Sequence, residues 1–139
     1  MLKLATEPLA SCAGCHVSLL DLHEDILQLF SKAELVYSPI LMDVKEPPDG
    51  IDIAIIGGAI RNKENMERVK KLREKAKTVI AYGTCACFGG VSGLSIIHSR
   101  DEILNGVYTD SASTTSKIIP KDDIPELLYR GYAVGDVIK

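Results

Sequence analysis

The sequence predicts an open parallel α/β sheet with helices on both faces, and three observations carry that expectation. Short apolar runs alternate with stretches of helical periodicity. One run, Ile51-Asp52-Ile53-Ala54-Ile55-Ile56, is almost continuously apolar, as a central parallel strand covered on both sides must be. All four cysteines lie just beyond such runs, in Cys12-Ala13-Gly14-Cys15 and Cys85-Ala86-Cys87. In open α/β sheets, ligand sites form outside the carboxyl ends of the strands. Two cysteine loops on such ends are therefore expected side by side.

Taken in order, Leu2 and Leu4 around Lys3 give a weak first strand that Pro8 ends. From Val17 to Phe30 the apolar positions Leu19, Leu22, Ile26 and Leu29 follow helical spacing, with Asp21, Glu24 and Asp25 in the early turns, where the helix dipole favours acids. The amino-terminal amides of this helix would face the first cysteine pair. Glu34-Leu35-Val36-Tyr37 is a second strand, stopped by Ser38-Pro39, and residues 40–49 form a loop closed by Pro47-Pro48-Asp49-Gly50. The central strand ends in the tight turn Gly57-Gly58-Ala59. A helix over Lys63–Lys75 turns Met66, Val69, Leu72 and Ala76 inward, and Asn62 is its expected N-cap. Thr78-Val79-Ile80-Ala81-Tyr82 is the fourth strand and runs into the second cysteine pair. Beyond it, Ser99-Arg100-Asp101-Glu102 reads as a capping box, Ile124–Tyr129 as a short helix, and Val134–Lys139 as the start of a fifth strand.

The 139 residues are enough for one domain, 1–139, with its own core, and with no Trp and two Phe that core must be mainly aliphatic. Sixteen Lys and Arg against nineteen Asp and Glu leave a net charge of −3 and no basic stripe, which argues against nucleic acid as a partner. No apolar run reaches the roughly 18 residues of a membrane span. The segment Met1–Pro8 lacks the apolar core of a secretory signal and the paired arginines of a twin-arginine signal, so the expected compartment is the cytoplasm. There, cysteines bind metal or do redox work more often than they form structural disulfides.

Cys-x-x-Cys ahead of a helix serves as a dithiol redox pair, as half of a zinc site or as half of an iron–sulfur site. A thioredoxin-like enzyme leaves Cys85 and Cys87 unexplained, and Cys-x-Cys is tighter than the usual zinc knuckle. Gly83, Gly89 and Gly90 let the backbone approach a cluster closely. The balance favours iron–sulfur, with a stand-alone thiol–disulfide oxidoreductase and a zinc-stabilised binding module as the alternatives. His16 has two readings, a donor to sulfur or a hydrogen-bonded residue at a helix start. His23 and His98 read as surface or loop residues, and the Lys63–Lys77 charges as a solvated helix face. Asp43, Glu46 and Asp49 do not have EF-hand spacing, and Gly57-Gly58 lacks the third spaced glycine of a nucleotide fingerprint.

A family resemblance runs through the chain. Leu9-Ala10-Ser11-Cys12-Ala13-Gly14-Cys15-His16-Val17-Ser18-Leu19-Leu20-Asp21 resembles the proximal-cluster opening of cytoplasmic nickel–iron hydrogenase small subunits. Tyr37-Ser38-Pro39-Ile40-Leu41-Met42-Asp43, Ile55-Ile56-Gly57-Gly58-Ala59-Ile60, Leu72–Lys77, Tyr82-Gly83-Thr84-Cys85-Ala86 and Gly89-Gly90 follow in the family's order. Thr109–Thr114 is similar to the methyl-viologen-reducing type associated with heterodisulfide reductase, and the cluster-bearing subunit of respiratory complex I is a more distant likeness. The resemblance implies a flavodoxin-like fold of four to five parallel strands. It also implies a 4Fe–4S cluster held by Cys12, Cys15 and Cys85, with electrons relayed from a nickel–iron centre in a separate large subunit toward flavin or further iron–sulfur subunits. The family's fourth ligand lies in a Gly-Cys-Pro-Pro segment that this chain stops short of. The expectation is therefore an amino-terminal piece of a longer subunit, and the competing reading makes Cys87 or a partner chain the fourth ligand. Gly57 stands where relatives often carry Glu.

Overall fold

A computed structural model describes residues 1–122 and 124–139. Its centre is a parallel sheet of four strands, β1 (Leu2–Pro8), β2 (Ala33–Tyr37), β3 (Ile51–Gly57) and β5 (Ala76–Tyr82), in the order β2-β1-β3-β5. The expected α/β architecture is the observed one, and the apolar run at Ile51–Ile56 takes an interior position, hydrogen-bonded to β1 on one side and β5 on the other. A short strand β4 (Ile60–Asn62) pairs antiparallel with β6 (Leu127–Tyr132) in a separate two-stranded sheet.

Alternation along β1 decides what each face of the sheet meets. Thr6 points to the side covered by α1 (Gly14–Leu20) and α2 (Ile26–Lys32), while Glu7 points to the side covered by α3 (Lys63–Lys75). The packed core includes Ala5, Ile51, Ala54, Ile56, Val69 and Leu72, all buried, and is aliphatic apart from Tyr37. The other face is covered more loosely. His16 is the one buried residue of α1, and α2 has none.

Several local expectations are corrected by the structure. The helical pattern at Val17–Phe30 is not one helix: α1 ends at Leu20, a single 3-10 turn covers His23–Asp25, and α2 begins at Ile26. The break falls on Asp21, Leu22 and His23, where His23 takes a left-handed φ of 51° that no α-helix continues through. The second cysteine pair lies in the short helix α4 (Thr84–Phe88) rather than in a loop, followed by α5 (Gly90–Gly93). Leu127–Tyr132 is strand where a helix over Ile124–Tyr129 was expected, because β4 supplies it with a partner. Val134–Val137 forms a helical turn, α7, instead of starting a fifth strand, and Val134 is buried in the core. The connection from β2 to β3 contains no helix; residues 38–50 cross as a loop. Among the described residues, no helix is long and apolar enough to cross a membrane.

The predicted caps are present. Ser99 and Glu102 bond reciprocally at the start of α6 (Arg100–Asn105). The Asn62 side chain accepts the Asn65 N–H at 2.8 Å at the head of α3. Asn62→Ala should lower stability by about 1 kcal/mol, checked by denaturant unfolding, with an Asn62→Asp variant expected to keep most of the difference.

Candidate functional site

The site is built on strand register. Pro8 of β1 pairs with Gly57 of β3, and Gly57 pairs with Tyr82 of β5, so three neighbouring strands end level. The two outer strands lead to the cysteines and the middle one does not. With strands about 4.8 Å apart, the ends of β1 and β5 are separated by roughly 10 Å. The cysteine segments must therefore meet across the end of β3.

The end of β3 is bare enough to allow it. A Cβ on Gly57 would lie 2.8 Å from Cε1 of His16 and 3.8 Å from Cβ of Cys15, and a Cβ on Gly58 would lie 2.8 Å from Cβ of Ser11. The first cysteine segment thus lies over the glycine pair. It is fastened there by reciprocal backbone bonds of 3.0 Å between Ala10 and Ala59 and by Leu9 N–H donating to the Gly57 carbonyl at 2.8 Å. Between the cysteines, Ala13 adopts a left-handed φ of 62°, a conformation that costs a non-glycine residue about 1 kcal/mol. That turn sends the chain into α1 at Gly14.

Cys15 reaches across to the second segment. A Cβ on Gly83 would sit 2.2 Å from Cys15 Sγ, so a side chain at that position would push the thiol from its present place. Gly83 also holds φ at 88°, a region L side chains rarely enter. Next to this contact, Ser18 Oγ donates to the Cys15 carbonyl at 2.7 Å and lies 2.8 Å from Tyr82 Oη. With its own proton so used, Ser18 accepts from the tyrosine. Cys85 is packed in the same way: a Cβ on Gly90 would lie 2.6 Å from its Sγ. Cys15 and Cys85 are half-buried, while Cys12 and Cys87 are exposed. The Cys87 thiol donates to the Ala81 carbonyl at 3.4 Å.

His16 follows Cys15 and is buried at 7% exposure, with neither ring nitrogen hydrogen-bonded to any described group. Burial pushes its pKa down and keeps the ring neutral. His23 and His98 are exposed. Glu46 and Asp49 are ion-paired with Lys71 and Lys75, not gathered around a cation position. Among the described residues, no three His, Cys, Asp or Glu side chains converge closely enough to hold a single metal ion. The role of Gly57 as a bare platform was legible only as a glycine pair ending a central strand. The Ser18–Tyr82 bond joins residues that nothing in the sequence links.

An open parallel α/β domain with cysteine segments at the carboxyl ends of two strands belongs to the class whose ligand sites form at that rim. The chain belongs to the family described as NADH ubiquinone oxidoreductase, 20 kDa subunit, whose pattern matches residues 12–123. It is 42% identical over 137 residues to a subunit of the F420-non-reducing hydrogenase (vhu) of Methanocaldococcus jannaschii, covering 99% of this chain and 48% of that protein. It is 33% identical over 156 residues to an iron-sulfur subunit of the F420-non-reducing hydrogenase of Archaeoglobus profundus, covering 99% of this chain and 49% of that protein. The fold superposes with a TM-score of 0.93 on a chain of an NAD+-reducing [NiFe]-hydrogenase crystallised in the H2-reduced state, at 30% identity over 99% of this chain and 78% of the other. The chain thus spans about half the length of the two F420-non-reducing hydrogenase subunits it matches.

Gly83→Ala should destabilise the fold by at least about 2 kcal/mol, from the positive φ and the overlap with Cys15. Thermal unfolding measures it, and a Gly93→Ala control, at a site with open space around it, should shift the midpoint far less.

Proposed function

We propose that this chain is the cluster-bearing, electron-transferring part of a nickel–iron hydrogenase and that Cys12, Cys15 and Cys85 hold an iron–sulfur cluster of the 4Fe–4S type. The observation that carries this reading is the approach of Cys15 to Gly83 across the end of β3, two residues ahead of Cys85. The donor chemistry fits, because thiolates are the ligands iron–sulfur clusters take. Thiolates also suit zinc, but a single ion makes a tighter demand on their spacing. A single zinc ion about 2.3 Å from each sulfur would draw three thiolates to within about 4 Å of one another. A cluster instead attaches each thiolate to a separate iron.

When bound, the cluster supplies one-electron redox chemistry. The chain's own part is to fix the thiolates and limit water. Gly83 and Gly90 seat Cys15 and Cys85 against backbone, Ala13 turns the first pair, and the buried His16 fills the floor beneath Cys15. Beyond the second pair, Phe88, Val91 and Ile97 stand 82%, 76% and 79% exposed. An apolar surface of this kind beside a redox rim suits burial against a partner. The hydrogenase names of the relatives support a large subunit carrying the nickel–iron centre as that partner, with flavin or further iron–sulfur subunits as the next acceptors. A cytoplasmic complex is the setting this reading implies. The Cys87 contact with Ala81 supports three ligands from this stretch and a fourth from outside it. A dithiol oxidoreductase using Cys12 and Cys15 leaves the seat of Cys85 without a role.

Iron and acid-labile sulfide, measured on the purified complex, test the assignment. Cys85→Ser should lose most of the cluster iron or leave a converted cluster visible by electron paramagnetic resonance. Cys87→Ser should retain the parental iron and spectrum. Loss confined to Cys87→Ser would overturn the ligand set.

A further inference from the structure

Away from the thiols, a second buried polar cluster sits at the carboxyl end of the sheet on the α3 side. Glu7, only 2% exposed, accepts a hydrogen bond from Tyr37 Oη at 2.7 Å and a longer one from Arg68 Nη1 at 3.3 Å. Arg68 is shared: its other terminal nitrogen donates to Glu64 at 2.6 Å. The guanidinium is nearly half exposed, so it offsets only part of the cost of burying the carboxylate. Glu7 and Tyr37 are buried walls of a cavity of about 260 Å³. Lys45 and Glu46 face it from the loop 38–50, and Glu64, Glu67, Arg68 and Lys71 face it from α3. β3 presents no titratable group here, since Ile56 is the residue paired with Glu7.

The loop is the one crossover between parallel strands with no helix to hold it. It is strapped to α3 by the Lys71–Glu46 ion pair, by Lys75 Nζ donating to the Pro47 carbonyl at 2.6 Å, and by Lys75–Asp49 at 3.2 Å. Its root is Tyr37, the residue bonded to Glu7. Swinging this loop away from α3 is the small motion that would widen the cavity and let more water reach the carboxyl group.

We propose that Glu7 and Tyr37 form a protonation-sensitive clasp under a strap made by residues 38–50, shut while Glu7 is neutral and loosened when Glu7 ionises. An ionised carboxylate gains more from water than from one tyrosine hydroxyl and a shared, half-exposed arginine. The open strap provides that water. Burial accordingly holds the Glu7 pKa above the ordinary carboxyl value, against the hydrogen bond from Tyr37 and the charge of Arg68. The sign follows from linkage. A group whose closed-state pKa is raised favours the closed state at low pH and gives up that preference as pH rises through the window between its open and closed values.

Hydrogen exchange of the intact protein, read by mass spectrometry over segment 38–50 between roughly pH 4 and 8 and corrected for intrinsic rates, tests this. In the parent, protection should fall with rising pH by up to about tenfold per unit and then level off. Glu7→Gln should stay protected with no such slope. Tyr37→Phe removes a bond that favours the ionised form, so it should extend the fall to higher pH before it levels off, which gives a second reading if Glu7→Gln does not fold. Parallel pH profiles for parent and Glu7→Gln, protection that rises with pH in the parent, or a Tyr37→Phe profile that does not move would each overturn the proposal. None of these readouts requires a bound cluster.

Discussion

The structure depends on the close approach of one loop to the end of one strand. β1 and β5 are not neighbours; β3 lies between them, and a side chain on Gly57 or Gly58 would occupy the space taken by Ser11, Cys15 and His16. Because that end carries no side chains, the segment after β1 can lie across it and bring Cys15 to the backbone at Gly83. Level strand ends make the crossing short, and backbone bonds between Ala10 and Ala59 hold it down. The site is therefore a property of register and absent side chains as much as of the thiols themselves.

The two faces of the sheet are used differently. On the α3 side the core is tight, with Val69, Leu72, Ile51 and Ile56 buried, and it anchors the strands whose ends must stay level. On the α1 and α2 side packing is looser, and the helical layer is broken at His23. The tight core thus lies behind the site, and the segment that carries Cys12 and Cys15 is tied to the end of β3 by the Leu9–Gly57 and Ala10–Ala59 backbone bonds. Buried polar residues at this end of the sheet include Thr6 and Ser38, bonded to each other, and two more on opposite faces. His16 sits under the cysteine turn, and Glu7 lies on the opposite face with a loop over it.

Much of this was legible in the residues. The interior position of β3 follows from its unbroken apolar run, α3 from the spacing of Met66, Val69 and Leu72, and both caps from Asn62 and Ser99. The cysteine positions relative to strand ends were readable for the same reason, since a period-2 or apolar run followed by small residues is a local signal. The β4–β6 pair was not legible, because a three-residue strand is fixed by a partner distant in the chain. The periodicity at Val17–Phe30 counted apolar residues correctly but could not register the single positive φ that divides the helix.

The sequence by itself determined the chemical inventory: four thiols in two clusters, glycines beside them, aliphatic strands to build a sheet, and a family pattern spanning residues 12–123. Tertiary structure decided that Cys15 meets Gly83, that the Cys87 thiol bonds to Ala81, that His16 is buried without a partner among the described residues, and that Glu7 lies beneath a loop. The reason is that composition and periodicity are local quantities. Proximity across the end of β3 arises only when three strands, far apart in the chain, are set in one register.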